Sequence, residues 1–274
     1  MHTFHLHEAL SLGLFQEGIP ELVESIIPFL IVCPLTMLAG FVDAIAGGGG
    51  LISLPAFFMA GLPAHTAIAT NKMSACMGTA LATGRFIKQG FVNWKIALPC
   101  AALALIGSAL GAKLALAISD EALRWIMLIV VPITAAYVMR PKSMQPGNRN
   151  LPLKRAVAIA AVIAFGIGIY DGFYGPGTGT FLMLAFTSVV GLAVNEANGA
   201  TKIVNLTTNV SALVVFLMHG QVWLLLGIVG GLFNMIGAWL GVNLFNGKGL
   251  KAVKPVMLVV LTIFFLKTLA ELAL

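Results

Sequence analysis

Long apolar stretches separated by short clusters of Gly, Pro and charged residues run through almost the whole chain. These clusters divide the chain into ten apolar segments, at about 22–46, 51–61, 65–89, 95–117, 121–139, 153–170, 178–192, 197–218, 222–245 and 250–272. A helix needs about 20 apolar residues to cross the hydrocarbon core of a bilayer. Segments 51–61 and 178–192 are short for a full crossing, so we expect half-helices or interior helices there.

Composition supports a membrane protein and excludes a soluble one. Of the 274 residues, 59% are apolar and only 9% are charged, whereas about a quarter of a soluble domain is charged. The three cysteines are scattered singly, so neither a disulfide framework nor a metal site is predicted, and no cofactor motif is present. We therefore predict an all-α polytopic membrane protein whose surroundings are the lipid bilayer.

The longest polar stretch separates two blocks of apolar segments. Residues 22–139 form the first block and residues 153–274 the second, with residues 140–152 as the linker. Residues 1–21 are acidic and read as an N-terminal surface segment. They lack the positively charged start of a secretory signal, so no cleavage is expected.

Basic residues orient the chain, because loops rich in Lys and Arg stay in the cytoplasm. Three loops, at about 85–95, 140–155 and 246–254, hold eleven of the sixteen basic residues. Placing all three inside predicts ten crossings of the inner membrane with both termini outside. Eight crossings, with the two short segments re-entrant, would keep the same loops inside. The charge is spread over short loops, so no face for nucleic acid is expected.

The two blocks share landmarks in the same order. Each has an aspartate, Asp43 or Asp171, followed four residues later by a glycine-rich stretch. Three further pairs match at one constant spacing along the chain: Asn71-Lys72 with Thr201-Lys202, Gly90 with Gly220, and Gly107-x-x-x-Gly111 with Gly237-x-x-x-Gly241. We infer an internal repeat of about five helical segments.

Loop charges predict that the two repeats face opposite ways. The basic loop 85–95 corresponds to residues 219–222, which contain no Lys or Arg. The basic loop 246–254 corresponds to a stretch near 118–124 whose charges are mixed in sign. Inverted repeats with broken helices that meet near the midplane are a recurrent plan of secondary transporters.

The glycine clusters predict the substrate site. Four consecutive glycines at 47–50 are unfavourable inside a helix, and irregular backbone within a membrane is tolerated only where it lines a cavity or is buried in protein. A break at a helix start exposes N–H groups that attract anions. The alternative is close helix packing through small residues. The glycines predicted to bind substrate are Gly47, Gly48, Gly49, Gly175 and Gly177.

Four charged residues lie well inside apolar segments: Asp43, Lys72, Asp171 and Lys202. Because burying charge is expensive, each is expected to have a function and a partner. The lysines either attract the substrate or form structural ion pairs, Lys72 with Asp43 and Lys202 with Asp171. The aspartates are assigned to ion pairing or to coupling. Polar neighbours expected to bind an oxyanion are Asn71, Thr178, Thr201 and Asn205.

Two stretches of sequence carry a family resemblance. The stretch from Gly40 to Pro55 followed by Ala69-Thr-Asn-Lys-Met73, and its counterpart Tyr170–Gly179 followed by Ala200-Thr-Lys202, resemble the two half-signatures of the TauE/SafE family of sulfite exporters and related permeases. The resemblance covers about residues 25–270. It implies transport of sulfite, thiosulfate or organosulfonates, with the two aspartate–glycine motifs and the two lysines as functional positions. That family is commonly described with seven or eight spans.

These observations together predict a secondary transporter of small anions, such as sulfite or sulfoacetate, across the inner membrane. A passive anion channel is the main alternative, and a membrane enzyme or an assembly factor are others. An enzyme is not expected, because the sequence has no HExxH, no clustered His and Cys, and no Ser beside a His. The choice of anion, the direction of transport, ion coupling and a homodimeric state are left open.

Overall fold

The computed structural model describes residues 4–139 and 151–244, with side chains for 25–134, 136 and 151–243. Within these ranges the regular structure is entirely helical. The helices are α1 (Phe4–Ala46), α2 (Gly50–Met59), α3 (Ala64–Lys88), α4 (Trp94–Leu116), α5 (Asp120–Met139), α6 (Leu153–Phe173), α7 (Thr178–Ala185), α8 (Val194–Met218) and α9 (Leu224–Leu244). A short π-helical segment, Phe186–Val190, continues α7. The predicted all-α membrane fold is confirmed.

Five helices are long and apolar enough to span a bilayer within the described part of the chain. The spans are Ser25–Ala46, Trp94–Leu116, Leu153–Phe173, Val194–Met218 and Leu224–Asn243. One face of α4 and one of α9 expose large apolar side chains such as Leu110 and Trp239, as expected of helices that contact lipid. The predicted segment 250–272 and loop 246–254 lie outside the described residues, so the number of crossings stays a prediction.

The predicted boundary between the N-terminal surface segment and the first span is not a break in the helix. Helix α1 begins at Phe4 and continues without a break into the span Ser25–Ala46. The segment predicted for residues 1–21 is therefore helical from residue 4 and is continuous with the first span. Most of the predicted linker, residues 140–150, lies outside the described residues.

Both glycine clusters break the helical path, as predicted. Helix α1 ends at Ala46, and Gly47 takes a positive φ of 70° before α2 begins at Gly50. Helix α6 ends at Phe173, and Gly175 and Gly177 have φ of 99° and 82° before α7 begins at Thr178. Left-handed backbone of this kind favours glycine. The two short segments are short helices in the structure.

Equivalent helices of the two halves pack in equivalent ways. A side chain at Gly107 would collide with the carbonyl oxygen of Phe165, and one at Gly237 with that of Met37. These two glycines are matched in the repeat, so α4 packs on α6 as α9 packs on α1. Small residues allow this close approach. The repeated landmarks are therefore repeated contacts, while the opposite orientation of the halves stays a prediction.

Helices α3 and α8 lie at the centre of this arrangement. They contact each other, and α3 also packs on α9 while α8 packs on α4. The two helices are equal in length and occupy equivalent places in the two halves. Their inward faces carry small and polar side chains, including Lys72 and Lys202, and these two lysines are almost completely buried. The central pair therefore brings the predicted charged residues to the two helix breaks.

Candidate functional site

The two helix breaks lie against each other. The backbone of Gly47 meets the backbone of Gly179 so closely that a side chain at either position would collide with the other. The backbone N–H of Thr180 donates to the carbonyl of Gly47 (3.2 Å), and the Thr180 hydroxyl donates to the carbonyl of Ala46 (2.6 Å). The start of α7 is thus joined to the end of α1, across the halves.

A cavity of about 30 Å³ lies beside this junction. At roughly 10–15 Å³ per enclosed water, it has room for about two waters or one small polar ligand. Its walls are largely polar and come from both halves. The lining residues are Ala39, Asp43, Gly47, Gly49, Gly50, Ser53, Asn71, Lys72, Ala75, Thr79, Asp171, Gly175, Thr178, Gly179, Asn205, Asn209 and Asn234.

A fully buried ion pair forms one wall of the cavity. The Nζ of Lys72 lies 2.9 Å from Oδ2 of Asp171, and the two side chains are only 2% and 3% exposed. The hydroxyl of Thr178 donates to Oδ1 of Asp171 at 2.7 Å. The ion pair and the bond from Thr178 compensate the charge of Asp171, as a buried charge requires.

A second ion pair lies opposite and is less enclosed. The Nζ of Lys202 is 3.1 Å from Oδ2 of Asp43, and the Asp43 side chain is 19% exposed. Lys202 also donates to the backbone carbonyl of Asp43, near the end of α1. Asp43 lines the cavity, whereas Lys202 lies behind it.

The predicted partners of the lysines were wrong. As one of two alternatives for the lysines, the sequence analysis paired Lys72 with Asp43 and Lys202 with Asp171, within each half. The structure exchanges them, because α3 packs beside the second break and α8 reaches the first. Each ion pair therefore connects the two halves.

Nine of the twelve predicted site residues line one cavity: Asp43, Gly47, Gly49, Asn71, Lys72, Asp171, Gly175, Thr178 and Asn205. Gly48, Gly177 and Lys202 do not line it. Gly177 caps the start of α7 with a left-handed conformation, and Lys202 is paired with Asp43. Thr201, named as a polar neighbour, is buried but also lies outside the lining.

Sequence reasoning missed several polar residues of the wall. Asn209 donates to Oδ1 of Asn205 at 3.3 Å, and Asn234 lies between Gly40 and Gly78, where any added side chain would collide with it. Asn234 is an amide in the middle of an apolar span. Such a position points to a functional residue, so Asn234 could have been identified from the sequence. Among the described residues, the buried Oδ1 of Asn71 has no hydrogen-bond partner.

Backbone donors contribute less to the cavity than the glycine clusters predicted. The N–H groups of Leu51 and Ile52 already donate to Gly48 and Gly49, and that of Phe181 donates to Gly177. These bonds use N–H groups at the starts of α2 and α7. The polar groups that line the cavity are therefore largely side-chain amides, hydroxyls and charged groups.

The fold is that of a polytopic membrane protein with a charged cavity between its two halves, and comparison with known proteins identifies a membrane transporter. The family profile described as "Sulfite exporter TauE/SafE" matches residues 32–268. The chain belongs to this family. It is 34% identical to "Probable membrane transporter protein ORF9" of Sinorhizobium sp, over 92% of this chain and 95% of that protein.

Other relatives carry similar names. "Probable membrane transporter protein YfcA" of Escherichia coli K12 is 35% identical over 86% of this chain and 88% of its own length. A "Probable membrane transporter protein" of Haemophilus influenzae is 32% identical over 81% and 87%. No solved structure matches the chain. The resemblance drawn from the two half-signatures is confirmed.

Proposed function

We propose that this transporter carries a small sulfur oxyanion or an organosulfonate, and that the anion binds in the cavity between the two helix breaks. The observation that carries the proposal is the concentration of hydrogen-bond donors there. Lys72, four asparagines and the hydroxyl of Thr79 line one small space, together with Ser53 and Thr178, whose hydroxyls donate within the protein. The oxygens of a sulfonate or sulfite accept from ammonium, amide and hydroxyl groups at once.

The cavity supports a small substrate and a carrier. A space of about 30 Å³ is small, so the part of a substrate that enters it has few atoms. Direct bonds between Thr180 and the end of α1 join the two halves beside the cavity. A carrier exposes such a site to one side at a time by moving one half against the other, whereas a channel needs a continuous path.

Binding to the purified protein tests the proposal. Sulfite, sulfoacetate and methanesulfonate are each added in a thermal unfolding assay, with choline as a cationic control. A ligand at 100 times its Kd stabilises by about 2.7 kcal/mol. We expect stabilisation by at least one sulfur anion and none by choline. Absence of an effect from all three anions contradicts the substrate class.

A matched pair of variants tests the place of binding. Asn71 and Thr201 occupy equivalent positions on α3 and α8, and both are buried, but only Asn71 lines the cavity. We expect Asn71→Leu to lose the ligand-induced stabilisation and Thr201→Val to keep it. Uptake of labelled sulfonate into proteoliposomes should follow the same order and should saturate. Equal binding by both variants places the anion elsewhere.

A further inference from the structure

The charges at the cavity sum to zero. Asp43, Lys72 and Asp171 line it, and Lys202 lies directly behind Asp43. In the described part of the chain, each of these lysines is paired with one of the aspartates. Ionised groups away from water are tolerated only when they are compensated. An anion entering this cavity therefore adds a negative charge that the resident groups do not balance.

The two carboxylates are not equally enclosed. Asp171 is 3% exposed, its Oδ1 accepts from Thr178, and its Oδ2 lies 2.9 Å from the Nζ of Lys72. Asp43 is 19% exposed and lies 3.1 Å from Lys202. Lys202 has a second acceptor in the backbone carbonyl of Asp43. That bond keeps the ammonium in place whether or not the carboxylate is charged.

Resting on the proposed function, we propose that Asp43 binds one proton together with each monovalent substrate anion. The proton adds to a carboxylate oxygen of Asp43, and no other bond breaks. Lys202 then keeps a positive charge that its partner no longer cancels, next to the cavity. This charge balances the anion, so the loaded site is neutral again.

The groups around Asp43 leave few alternatives for the proton. Helices α2, α7 and α9, which pack on α1, contain no titratable side chain within their bounds. The charged groups that face Asp43 are Lys202 from α8 and, across the cavity, Lys72 from α3 and Asp171 from α6. Cys76 on α3 is buried and does not line the cavity.

Coupling of this kind makes the protein a proton–anion symporter. The site carries no net charge in the loaded form, and it carries none in the empty form. The form with an anion and no proton is the costly one. An inward proton gradient therefore drives the anion inward, and one proton is transported with each anion.

Calorimetry with methanesulfonate tests the coupling, because the charge of this probe does not change between pH 5 and 8. If each anion binds with one proton, Kd rises up to about tenfold per pH unit above the titration of the site. A weakly buffered solution should become more alkaline on binding. Asp43→Asn, which mimics the protonated carboxyl, should bind with the same Kd throughout.

Binding by the wild-type protein without pH dependence or proton uptake overturns the coupling alone. Failure of sulfonates to bind at every pH overturns the proposed function with it.

Infrared difference spectroscopy identifies the carboxyl. Addition of methanesulfonate should produce a band of a protonated carboxyl group in the wild-type protein. Asp43→Glu should shift that band, because the two acids absorb at different frequencies, and Asp43→Asn should remove it. Asp171→Glu keeps the charge of the site and serves as the matched control, with an unshifted band. A shift in Asp171→Glu with no shift in Asp43→Glu overturns the assignment to Asp43.

Discussion

Lys72 forms its ion pair with Asp171, 2.9 Å away on the other half of the protein, although Asp43 is nearer in sequence. Lys202 makes the reciprocal pair with Asp43. Because each pair joins the two halves, the charges contribute to holding the halves together as well as to the cavity. Their contribution to stability and their contribution to binding can be separated by double substitutions.

We predict that Asp171→Asn rescues the stability of Lys72→Met. The single change leaves a buried carboxylate without its partner, which costs about 3–5 kcal/mol. The double variant leaves neither charge, so most of that loss should return. The matched control combines Lys72→Met with Asp43→Asn, the pair that sequence proximity favours, and should show no rescue. Thermal unfolding in detergent measures the stability of the wild-type protein and of these three variants. Equal rescue by both aspartate changes contradicts the pairing seen in the structure.

The same double variant separates structure from substrate binding. Lys72 lines the cavity, so a stable protein without it lacks one charge-assisted hydrogen bond to the anion. Such a bond contributes about 1.5–3 kcal/mol, so affinity should fall by roughly ten- to a hundredfold. Calorimetry with methanesulfonate provides the measurement. Full affinity in the rescued protein assigns Lys72 a purely structural role.

Much of the fold was predictable from local sequence. The tetraglycine 47–50 predicted a helix break, and the structure has one there with Gly47 in a left-handed conformation. The glycines of α4 and α9 predicted close packing, because a residue without Cβ is needed where helices touch. These features depend on a few neighbouring residues, so no long-range information was needed.

Ion-pair partners and much of the cavity wall could not be predicted in the same way. Which aspartate meets Lys72 depends on how α3 packs between the halves, and the sequence of α3 does not contain that information. Asn234 lies on α9, where nearly all other residues are apolar or glycine. Periodicity therefore does not show which face of α9 points to the cavity.

We predict that Gly47→Ala abolishes transport and Gly61→Ala does not. Both glycines have positive φ, 70° and 86°, so both variants incur a backbone strain of about 1–2 kcal/mol. A side chain at Gly47 would also collide with the backbone of Gly179, whereas that at Gly61 meets open space. Proteoliposome uptake and thermal unfolding should distinguish them. Equal loss in both variants assigns the effect to strain alone.

We predict that Asn234→Leu lowers anion affinity without preventing insertion. Asn234 is 6% exposed and lines the cavity from the middle of α9, so leucine removes a polar contact while keeping the branched shape and the number of heavy atoms. Loss of one neutral hydrogen bond costs about 0.5–1.5 kcal/mol, or roughly a two- to tenfold rise in Kd. Ile236→Leu, on the exposed side of the same helix, is the control. Unchanged affinity in Asn234→Leu removes α9 from the binding site.

We predict that the two halves have opposite orientations in the membrane, and cysteines at positions 89 and 219 can test this. Gln89 and His219 are exposed and directly follow the equivalent helices α3 and α8. Inverted halves place them on opposite sides of the membrane, with Gln89 inside because its loop is basic. Cysteines are introduced at each position after Cys33, Cys76 and Cys100, all buried, are changed to Ala. A membrane-impermeant maleimide on intact cells should label His219→Cys only, and Gln89→Cys should react after permeabilisation. Labelling of both positions from the same side means that the halves are parallel, and the inverted arrangement is then wrong.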